Sequence, residues 1–412
     1  MKTITKIEIC RICKNNNLKD VFNFGPTPLA NAFINEKNLN KKETFYPLIV
    51  CFCQKCYLLQ LRYVVSPKIL FKDYVYYSST SSVFIKHFQD FADHVTKTLH
   101  LKNNSLCIDI GSNDGILLKP LKKLNMRVLG VEPAKNVAKT AIDQKITTLP
   151  EFFNIKLAKK IFNKYGSADI VCATNVFAHI HDLDEIINGV KIILNKNGVF
   201  IIEAPYLIDF LQNNLFDTVY HEHLSYLSVV PLQILFNRFN MKIFRAERVN
   251  SHGGSLRVFV ALNESKYKVQ SSVIKLLKEE KRLKLNSLNT YLNFSKRIEN
   301  NKITLLNVLN TLISKGKRIA GYGAPAKGNT LLNYFGINNK IIEYIIEDSI
   351  YKQGLYTPGT RIPIVKSEKL YKDKPDYLFI LAWNFAESIM KNHKNFRKWG
   401  KFILPVPKPR II

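Results

Sequence analysis

From residue 105 to about 262, short apolar runs alternate with segments in which apolar residues recur every three or four positions. The short runs predict buried strands, and the periodic segments predict amphipathic helices. Expected strands are 106–110, 128–131, 169–173 and 199–202, with helices near 114–124, 134–142, 154–164 and 182–195 and an antiparallel pair at 242–249 and 256–262. This order predicts an α/β fold with a mostly parallel, doubly wound, Rossmann-like sheet.

Two further regions flank this pattern. The first 65 residues are rich in loops and hold little apolar content, so we expect a metal to stabilise them. Residues 267–312 predict a pair of helices, and a second, smaller α/β unit begins at 318–323. The domains predicted from these changes of pattern are 1–66, 67–265 and 266–412.

Composition and charge narrow the classes of function. Hydrophobic residues make up 46% of the 412 residues, as in a globular protein. The formal net charge is +29, but most basic residues are scattered lysines and the arginines do not cluster, so we expect no nucleic-acid partner. Apolar runs stay below the roughly 18–20 residues of a membrane span, and no secretory signal is visible. We therefore expect a cytoplasmic monomer without a membrane partner.

Two cysteine pairs predict a metal site near the N-terminus. Cys10 and Cys13 form one Cys-x-x-Cys pair, and Cys53 and Cys56 form the second. Each pair supplies two thiolates from one turn, and two such pairs make a closed tetrahedral zinc site. Four protein ligands leave no position for a reactive water, so the predicted Zn²⁺ is structural.

A strand followed by a glycine-containing loop predicts a cofactor site. The loop reads Asp109-Ile-Gly111-Ser-Asn113-Asp-Gly115, and glycines there allow a sharp turn and a close approach of a ligand. Glu132 ends the next predicted strand, about 20 residues on, where an acid can bind both hydroxyls of a ribose. The Gly-x-Gly-x-x-Gly pattern of dehydrogenases is absent. Together with the strand end Ala173-Thr-Asn175, these residues favour S-adenosylmethionine, a cationic cofactor without phosphates.

A cluster of proton-exchanging residues, Tyr220-His-Glu222-His223, lies further along the chain than the predicted cofactor loop. Proton-transfer chemistry needs such a cluster, whereas a solvated loop does not. His179 follows the strand at 169–173, where active-site residues of an open α/β sheet gather. The segment from His252 to Arg257 could be a hairpin turn, but its polar side chains are expected near the same crevice.

A second glycine turn precedes the helix predicted after residue 325. It reads Gly321-Tyr322-Gly323-Ala-Pro-Ala-Lys327-Gly-Asn329. Backbone N–H groups and a cation at a helix start favour a phosphate ligand. The order of residues does not match a P-loop. We therefore expect Tyr322, Lys327 and Asn329 to contact a diphosphate, with a purely structural turn as the alternative.

The chain resembles the sugar C-methyltransferases that act on nucleotide-linked 4-keto-deoxysugars. The motifs that carry this resemblance extend over nearly the whole chain. They are Cys10-Arg-x-Cys13, Gly25-x-x-Pro28-Leu-Ala-Asn31, Cys53-x-x-Cys56, Ile110-Gly-Ser-Asn-Asp-Gly115, Asn175-Val-x-Ala-His179, Tyr220-His-Glu-His-Leu-Ser-Tyr226, His252-Gly-Gly-Ser-Leu-Arg257 and Gly321-Tyr-Gly-Ala. The resemblance implies an N-terminal zinc-binding domain and a class I methyltransferase domain. It also implies a C-terminal α/β domain that helps to bind the nucleotide-sugar.

The same resemblance implies roles for individual residues. It makes Tyr220, Glu222 and His223 functional, and it adds Tyr76 from the preceding tyrosine-rich segment. We expect His223, oriented by Glu222, to remove a proton from carbon 3 of the keto-sugar. Tyr220, with Tyr76 or His179, would donate to the enolate oxygen. Two alternatives stay open, a sugar O-methyltransferase and a zinc-ribbon RNA methyltransferase.

Overall fold

The computed structural model describes residues 3–70, 77–80, 82–251 and 253–412. Tyr76 and His252, which the sequence assigns to the catalytic and substrate sites, lie outside these residues. The chain forms three main sheets, which we take in order along the sequence.

The N-terminal region is built on short antiparallel strands. They are β1 (Ile4–Lys6), β2 (Leu18–Thr27), β3 (Tyr46–Cys53), β4 (Leu59–Leu61) and β5 (Tyr63–Val65). Strands β2, β3 and β4 form a sheet in that order. This sheet positions the second cysteine pair, because Cys53 ends β3 and Cys56 lies in the turn that leads to β4.

The central region begins with α1 and ends with a β-hairpin. Its elements are α1 (Pro67–Leu70), α2 (Ser82–Leu99), β6 (Leu106–Ile110), α3 (Leu118–Lys123), β7 (Arg127–Val131), α4 (Lys135–Asp143), β8 (Thr148–Leu149), α5 (Ile155–Tyr165), β9 (Ala168–Thr174), α6 (Leu183–Ile193), β10 (Leu194–Pro205), α7 (Leu207–Gln212), β11 (Ser225–Tyr226), α8 (Val229–Asn237), β12 (Met241–Val249) and β13 (Ser255–Leu262).

Seven of these strands form one sheet in the order β12-β13-β10-β9-β6-β7-β8. Strands β6 to β10 are parallel, and β13 and β12 add two antiparallel strands at one edge. The predicted Rossmann-like α/β class is thereby confirmed. Helix α3 begins at Leu118 instead of about 114, because Gly111, Asn113 and Gly115 all have positive φ angles and hold the preceding loop in a non-helical turn.

The C-terminal region contains two helices and a second α/β unit. Its elements are α9 (Ser271–Arg282), α10 (Leu288–Ser314), β14 (Ile319–Tyr322), α11 (Ala326–Phe335), β15 (Ile345–Ile346), β16 (Ile364–Val365), α12 (Glu368–Asp373), β17 (Tyr377–Ile380), α13 (Ala386–Asn392), β18 (Lys401–Leu404) and β19 (Arg410–Ile411). The sheet order is β16-β15-β14-β17-β18-β19, and all pairs except β18–β19 are parallel.

Helix α10 packs against two other regions of the molecule. The ring of Phe294 is fully buried and lies 5.3 Å from Phe22 of β2 and 5.0 Å from Phe210 of α7, measured between ring centroids. Burial of an aromatic side chain of this size contributes roughly 2 kcal/mol. The helix therefore joins the N-terminal sheet to the central unit. Among the described residues, no helix has the length and apolar content needed to cross a membrane.

Candidate active site

A cavity of about 380 Å³ opens at the carboxyl ends of β6, β7 and β9. Parallel strands place the loops that follow them at one edge of the sheet, which is where ligands of open α/β sheets bind. The predicted cofactor residues that line this cavity are Asp109, Gly111, Asn113, Glu132 and Asn175. Gly115 and Ala173, which were also predicted, are not among the lining residues, because Gly115 turns the loop against Ile146 and Ala173 is buried within β9.

Glu132 holds the backbone of the cofactor loop, residues 111–117, in place. Its Oε2 accepts a hydrogen bond from the backbone N–H of Asn113 at 3.0 Å, and its Oε1 accepts one from Ala134 at 2.8 Å. Burial raises the pKa of this carboxyl, while the two N–H donors oppose the rise. A Cβ atom on Gly111 would lie 2.7 Å from Cγ2 of Val176, so glycine is required where the loop meets the strand end after β9.

Two buried acceptors face the cavity without a protein donor. Oδ1 of Asp109 and Oδ1 of Asn175 have no hydrogen-bond partner among the described residues, and both side chains line the cavity. Burial and the nearby Glu132 raise the pKa of Asp109 well above its usual range. A ligand that brings positive charge and hydrogen-bond donors satisfies these atoms, because buried polar groups need partners. S-adenosylmethionine, with its sulfonium, ammonium and ribose hydroxyls, fits this donor requirement.

The start of helix α2 supplies the apolar wall of the cavity. The backbone N–H of Ser78 donates to Oδ1 of Asn113 at 2.9 Å, and that of Ser79 donates to Oδ2 of Asp114 at 3.1 Å. These bonds hold the segment before α2 against the cofactor loop, and Phe84 and Phe88 line the cavity. Sequence reasoning missed both phenylalanines, although their spacing of four residues on one helix face was a visible signal.

His179 connects this cavity to the predicted catalytic cluster. Its side chain lines the cavity, and its ring centroid lies 4.9 Å from that of His223. Burial, with a smaller effect of His223, lowers the pKa of His179 well below its usual range. The neutral ring therefore lies between the cofactor cavity and the catalytic loop, which we define as residues 218–226.

His223 has a defined tautomer in the catalytic loop. Its Nδ1 lies 2.7 Å from the carbonyl oxygen of Thr218, and its Nε2 lies 2.8 Å from the hydroxyl of Tyr220. A carbonyl oxygen can only accept, so Nδ1 carries the hydrogen and Nε2 accepts the hydrogen bond from Tyr220. Burial lowers the pKa of His223 to about 4, although the Thr218 carbonyl opposes this shift. The ring is therefore neutral at pH 7, with its basic lone pair on Nε2.

The expected contact between Glu222 and His223 is replaced by other contacts. Oε1 of Glu222 accepts a hydrogen bond from Nδ2 of Asn31 at 2.7 Å, and the Thr218 carbonyl orients the imidazole instead. Burial raises the pKa of Glu222 to about 7, and the bond from Asn31 opposes the rise. Sequence reasoning could not find this arrangement, because a backbone carbonyl leaves no mark on residue type.

The predicted substrate residues divide into two groups. Lys327 is the second residue of α11, and its Nζ lies 3.7 Å from the ring centroid of Trp383 and donates to Oδ1 of Asn384. The Trp383 indole N–H in turn donates to Oδ2 of Asp217 at 2.6 Å, which brings this group next to the catalytic loop. Trp383 and Asp217 were not predicted from the sequence.

The other three described members have structural partners, so we no longer assign them to the substrate. Nδ2 of buried Asn329 donates to the carbonyl of Ala30 at 2.7 Å. The hydroxyl of Tyr322 donates to Oδ2 of Asp348 at 2.7 Å and lies 2.9 Å from His393 Nε2. Arg257 is likewise buried, and its Nη2 forms an ion pair with Oε2 of Glu203 at 2.7 Å.

The four predicted metal ligands come together in space. The Sγ atoms of Cys10, Cys13, Cys53 and Cys56 lie within 4.8 Å of one another. The Cys10–Cys56 and Cys13–Cys53 separations are 3.4 and 3.5 Å. Tetrahedral zinc with Zn–S bonds of about 2.3 Å separates its sulfurs by roughly 3.8 Å, so these thiols fit Zn²⁺ after small shifts. The fifth cysteine of this region, Cys51, is buried and outside the cluster.

Comparisons with known proteins agree with this geometry. Family models match as a zinc binding domain over residues 10–71, a methyltransferase domain over 84–245 and a C-methyltransferase C-terminal domain over 250–407. The chain is 36% identical to C-methyltransferase NovU of Streptomyces niveus, over 99% of the chain and 98% of that protein. It is also 26% identical to the ubiquinone biosynthesis O-methyltransferase of Rhodopseudomonas palustris (strain HaA2), over 26% of the chain and 42% of that protein.

Among solved structures, the magnesium protoporphyrin IX methyltransferase of Synechocystis PCC 6803 with bound S-adenosylmethionine covers 44% of the chain and 81% of its own length. The identity is 14% and the TM-score 0.33, so this likeness carries no argument of its own. The methyltransferase and zinc-binding matches, taken with the cavity and the four thiols, confirm S-adenosylmethionine and zinc as the predicted cofactors.

Proposed function

The chain belongs to the C-methyltransferase family that includes NovU, and we propose that its methyl acceptor is carbon 3 of a nucleotide-linked 4-keto-deoxysugar. The observation that carries this proposal is the Tyr220–His223 pair, which lies next to His179, a residue of the cavity wall. Methylation of carbon needs a carbanion, and a ketone at carbon 4 makes the neighbouring C–H acidic. A neutral imidazole next to a methyl donor suits that chemistry.

In the proposed reaction, Nε2 of His223 takes the proton from carbon 3. The electron pair of the broken C–H bond moves into the carbon–carbon bond, and the carbonyl electrons move to the oxygen on carbon 4. S-adenosylmethionine, when bound, would supply an electrophilic methyl group. As the enolate carbon bonds to that methyl, the carbonyl at carbon 4 would re-form, and the electron pair of the broken sulfur–methyl bond would go to the sulfur, which leaves as a neutral thioether. The proton leaves the enzyme from His223. A positioned base contributes roughly 10²–10⁴-fold to such a step.

Tyr220 stabilises the enolate in this scheme. Its hydroxyl now donates to His223 Nε2 at 2.8 Å, and a bound ketone offers that hydroxyl a second acceptor. When the hydroxyl donates to the ketone oxygen, the lone pair of Nε2 becomes available for the proton on carbon 3. Loss of one such donor costs about 10²–10³-fold in rate. We propose the same duty for Tyr76, on the strength of the family resemblance alone.

We further propose that Lys327 binds the diphosphate of the substrate. The ammonium lies at the first turn of α11, where backbone N–H groups also favour an anion. The Trp383 ring and Asn384 hold it there, and the hydrogen bond from Trp383 to Asp217 brings this group beside the catalytic loop. The C-terminal domain, with proposed limits 266–412, would then bind the nucleotide while the domain at 67–265 carries out the reaction.

A paired measurement tests the proposal. The enzyme is incubated with labelled S-adenosylmethionine and a panel of 4-keto nucleotide-sugars, and exchange of the carbon 3 hydrogen is followed in deuterated water. We expect label transfer to carbon and exchange at carbon 3 with at least one sugar. Transfer to a sugar that has no keto group, without any exchange, would instead indicate O-methylation and overturn the enolate mechanism.

The role of His223 is tested by His223→Asn, with His100→Asn as the matched control. His100 is exposed at the end of α2, with a positive φ angle that asparagine tolerates. We expect His223→Asn to lose transfer and exchange by about 10³-fold or more, with the Kd for S-adenosylmethionine unchanged. Wild-type turnover in this variant would exclude His223 as the base.

A further inference from the structure

The catalytic loop is part of the N-terminal sheet as well as of the central region. Its last two residues form β11, which pairs antiparallel with β4, so that Ser225 lies opposite Gln60 and Tyr226 opposite Leu59. The backbone N–H of Leu61 also donates to the carbonyl of Leu224 at 2.9 Å. The strand that follows His223 is thus an edge strand of the sheet that contains Cys53, one of the predicted zinc ligands.

Arg11 connects the zinc site directly to this loop. It lies between Cys10 and Cys13, and its side chain is buried. Nη1 donates to the carbonyl of Leu224 at 2.9 Å and to Oε1 of Gln60 at 3.1 Å, and Nη2 donates to the carbonyl of Leu61 at 3.0 Å. One guanidinium therefore bonds to β4 and to the residue that precedes β11, through charge-assisted hydrogen bonds.

Glu222, which precedes His223 in the chain, is also held by the N-terminal region. Asn31, in the loop after β2, donates to Oε1 of Glu222 at 2.7 Å. Contacts from the N-terminal region thus fix Glu222 and Leu224, the two neighbours of His223. By contrast, the described residues that line the cofactor cavity begin at Pro67, after the N-terminal region.

We propose that Arg11 is a positioning residue for proton abstraction, and that the zinc site which holds Arg11 supports the catalytic loop without taking part in cofactor binding. Zinc ligation fixes the backbone on both sides of Arg11, and Arg11 fixes the backbone carbonyl next to His223. Loss of the metal or of the guanidinium then leaves the loop free to move His223 away from carbon 3. The kinetic test of this inference rests on the proposed function, whereas a second test, by hydrogen exchange, does not.

The kinetic test compares Arg11→Gln with Arg62→Gln, each verified to retain zinc. Arg62 is also buried in the N-terminal sheet, but its partners, Asp20 and the carbonyls of Ile7 and Leu18, are all within that region. We expect Arg11→Gln to lower kcat by about 10–100-fold with little change in the KM for the sugar. A displaced base slows the chemical step, whereas the contacts that bind the sugar remain. Arg62→Gln should keep kcat within about threefold, and Arg11→Lys should restore part of the loss.

Unchanged kcat in Arg11→Gln would overturn the inference, and so would an equal loss in Arg62→Gln, which would indicate general weakening of the region. If the wild type neither exchanges nor methylates any 4-keto sugar, the proposed function fails instead. The two failures are therefore distinguishable.

A second measurement needs no substrate. Zinc is removed with a chelator, and amide hydrogen exchange is followed by mass spectrometry with S-adenosylmethionine bound. We expect the peptides that contain 59–61 and 224–226 to exchange at least about tenfold faster, while the peptides that contain 106–132 stay protected. Equal protection of 224–226 with and without zinc would overturn the inference, as would loss of protection throughout the molecule.

Discussion

The two α/β units of this protein build their glycine loops in the same way. In the central unit, Glu132 follows β7 and accepts hydrogen bonds from the backbone of Asn113, in the loop after β6, and of Ala134. In the C-terminal unit, Glu347 follows β15 and accepts from the backbone of Ala324, in the loop after β14, at 2.8 Å and of Ser349 at 3.0 Å. In both units an acid bonds to the glycine loop and to the residue two positions after itself.

The two units differ in the charge that stands beside this shared arrangement. Around Glu132 the cavity wall contains Asp109, a second acid, whose ionised form a bound cation would stabilise. Beside Glu347 lies Lys352, whose Nζ is 4.0 Å from the carboxylate and donates to the carbonyl of Ala324 at 2.9 Å. Lys327 adds a second ammonium at the start of the next helix. The acid thus supports the loop in both units, and under the proposed function its neighbours would select the sign of the ligand's charge.

The largest expected effect separates the two acids. Glu132→Ala removes the acceptor of two backbone N–H groups and the expected ribose contact, so the Kd for S-adenosylmethionine should rise about 10²-fold, as isothermal titration would show. Glu347→Ala removes the same two backbone contacts elsewhere and should leave that Kd within about twofold. A similar loss of cofactor affinity in both variants would break the comparison.

The next effect concerns Lys327 and pH. Burial lowers the pKa of Lys327 to about 8, and Asp217 opposes the shift. The ammonium is therefore charged below about pH 8 and loses its proton above it, so the KM for a diphosphate-containing substrate should rise as pH increases through 8. Lys327→Met should raise that KM roughly 10-fold at pH 7 and remove the dependence.

Binding of S-adenosylmethionine serves as the reference in this titration. Lys327 lies in the C-terminal unit, so the Kd for the cofactor should follow the same course from pH 7 to 9 in wild type and in Lys327→Met. An unchanged KM for the sugar nucleotide in Lys327→Met would remove Lys327 from the substrate site.

The smallest effect distinguishes two glycines. Gly111 has φ +72° and Gly323 has φ +80°, and a Cβ atom on either would lie 2.7 Å from a side chain, Val176 in the first case and Ala382 in the second. Alanine at either position should lower the free energy of unfolding by about 1–3 kcal/mol, measured by urea denaturation. Gly111→Ala should also weaken cofactor binding a few-fold, because Val176 lines the cavity.

Gly323→Ala should leave cofactor binding unchanged and raise the KM for the sugar nucleotide instead, because Ala382 precedes Trp383, which contacts Lys327. An effect of both substitutions on the same ligand would argue against separate binding roles for the two units.

The sequence predicted those features that depend on neighbouring residues. The strands of the central sheet, the glycine loop with its following acid and the two cysteine pairs are all patterns of spacing within a few turns of the chain. Local patterns of this kind follow from backbone geometry and ligand chemistry, so residue types report them directly. The antiparallel pair β12–β13 was visible for the same reason.

Other parts of the site depend on contacts between distant residues. Asn329 and Tyr322 occur in a motif suited to phosphate, but the fold buries them against Ala30 and Asp348. Likewise, no pattern marks the Thr218 carbonyl as the acceptor that orients His223. Such partners are selected by packing, because a buried polar group takes whichever donor or acceptor the fold brings to it.

By itself the sequence determined the α/β class, the zinc ligands, the cofactor loop and the presence of a proton-exchanging cluster, since each is a property of residue type and spacing. Only the tertiary structure decided the tautomer of His223, the partner of Glu222 and the insertion of β11 into the zinc-bearing sheet. These contacts join residues as far apart as Asn31 and Glu222, and burial of one surface against another, rather than local preference, brings them together.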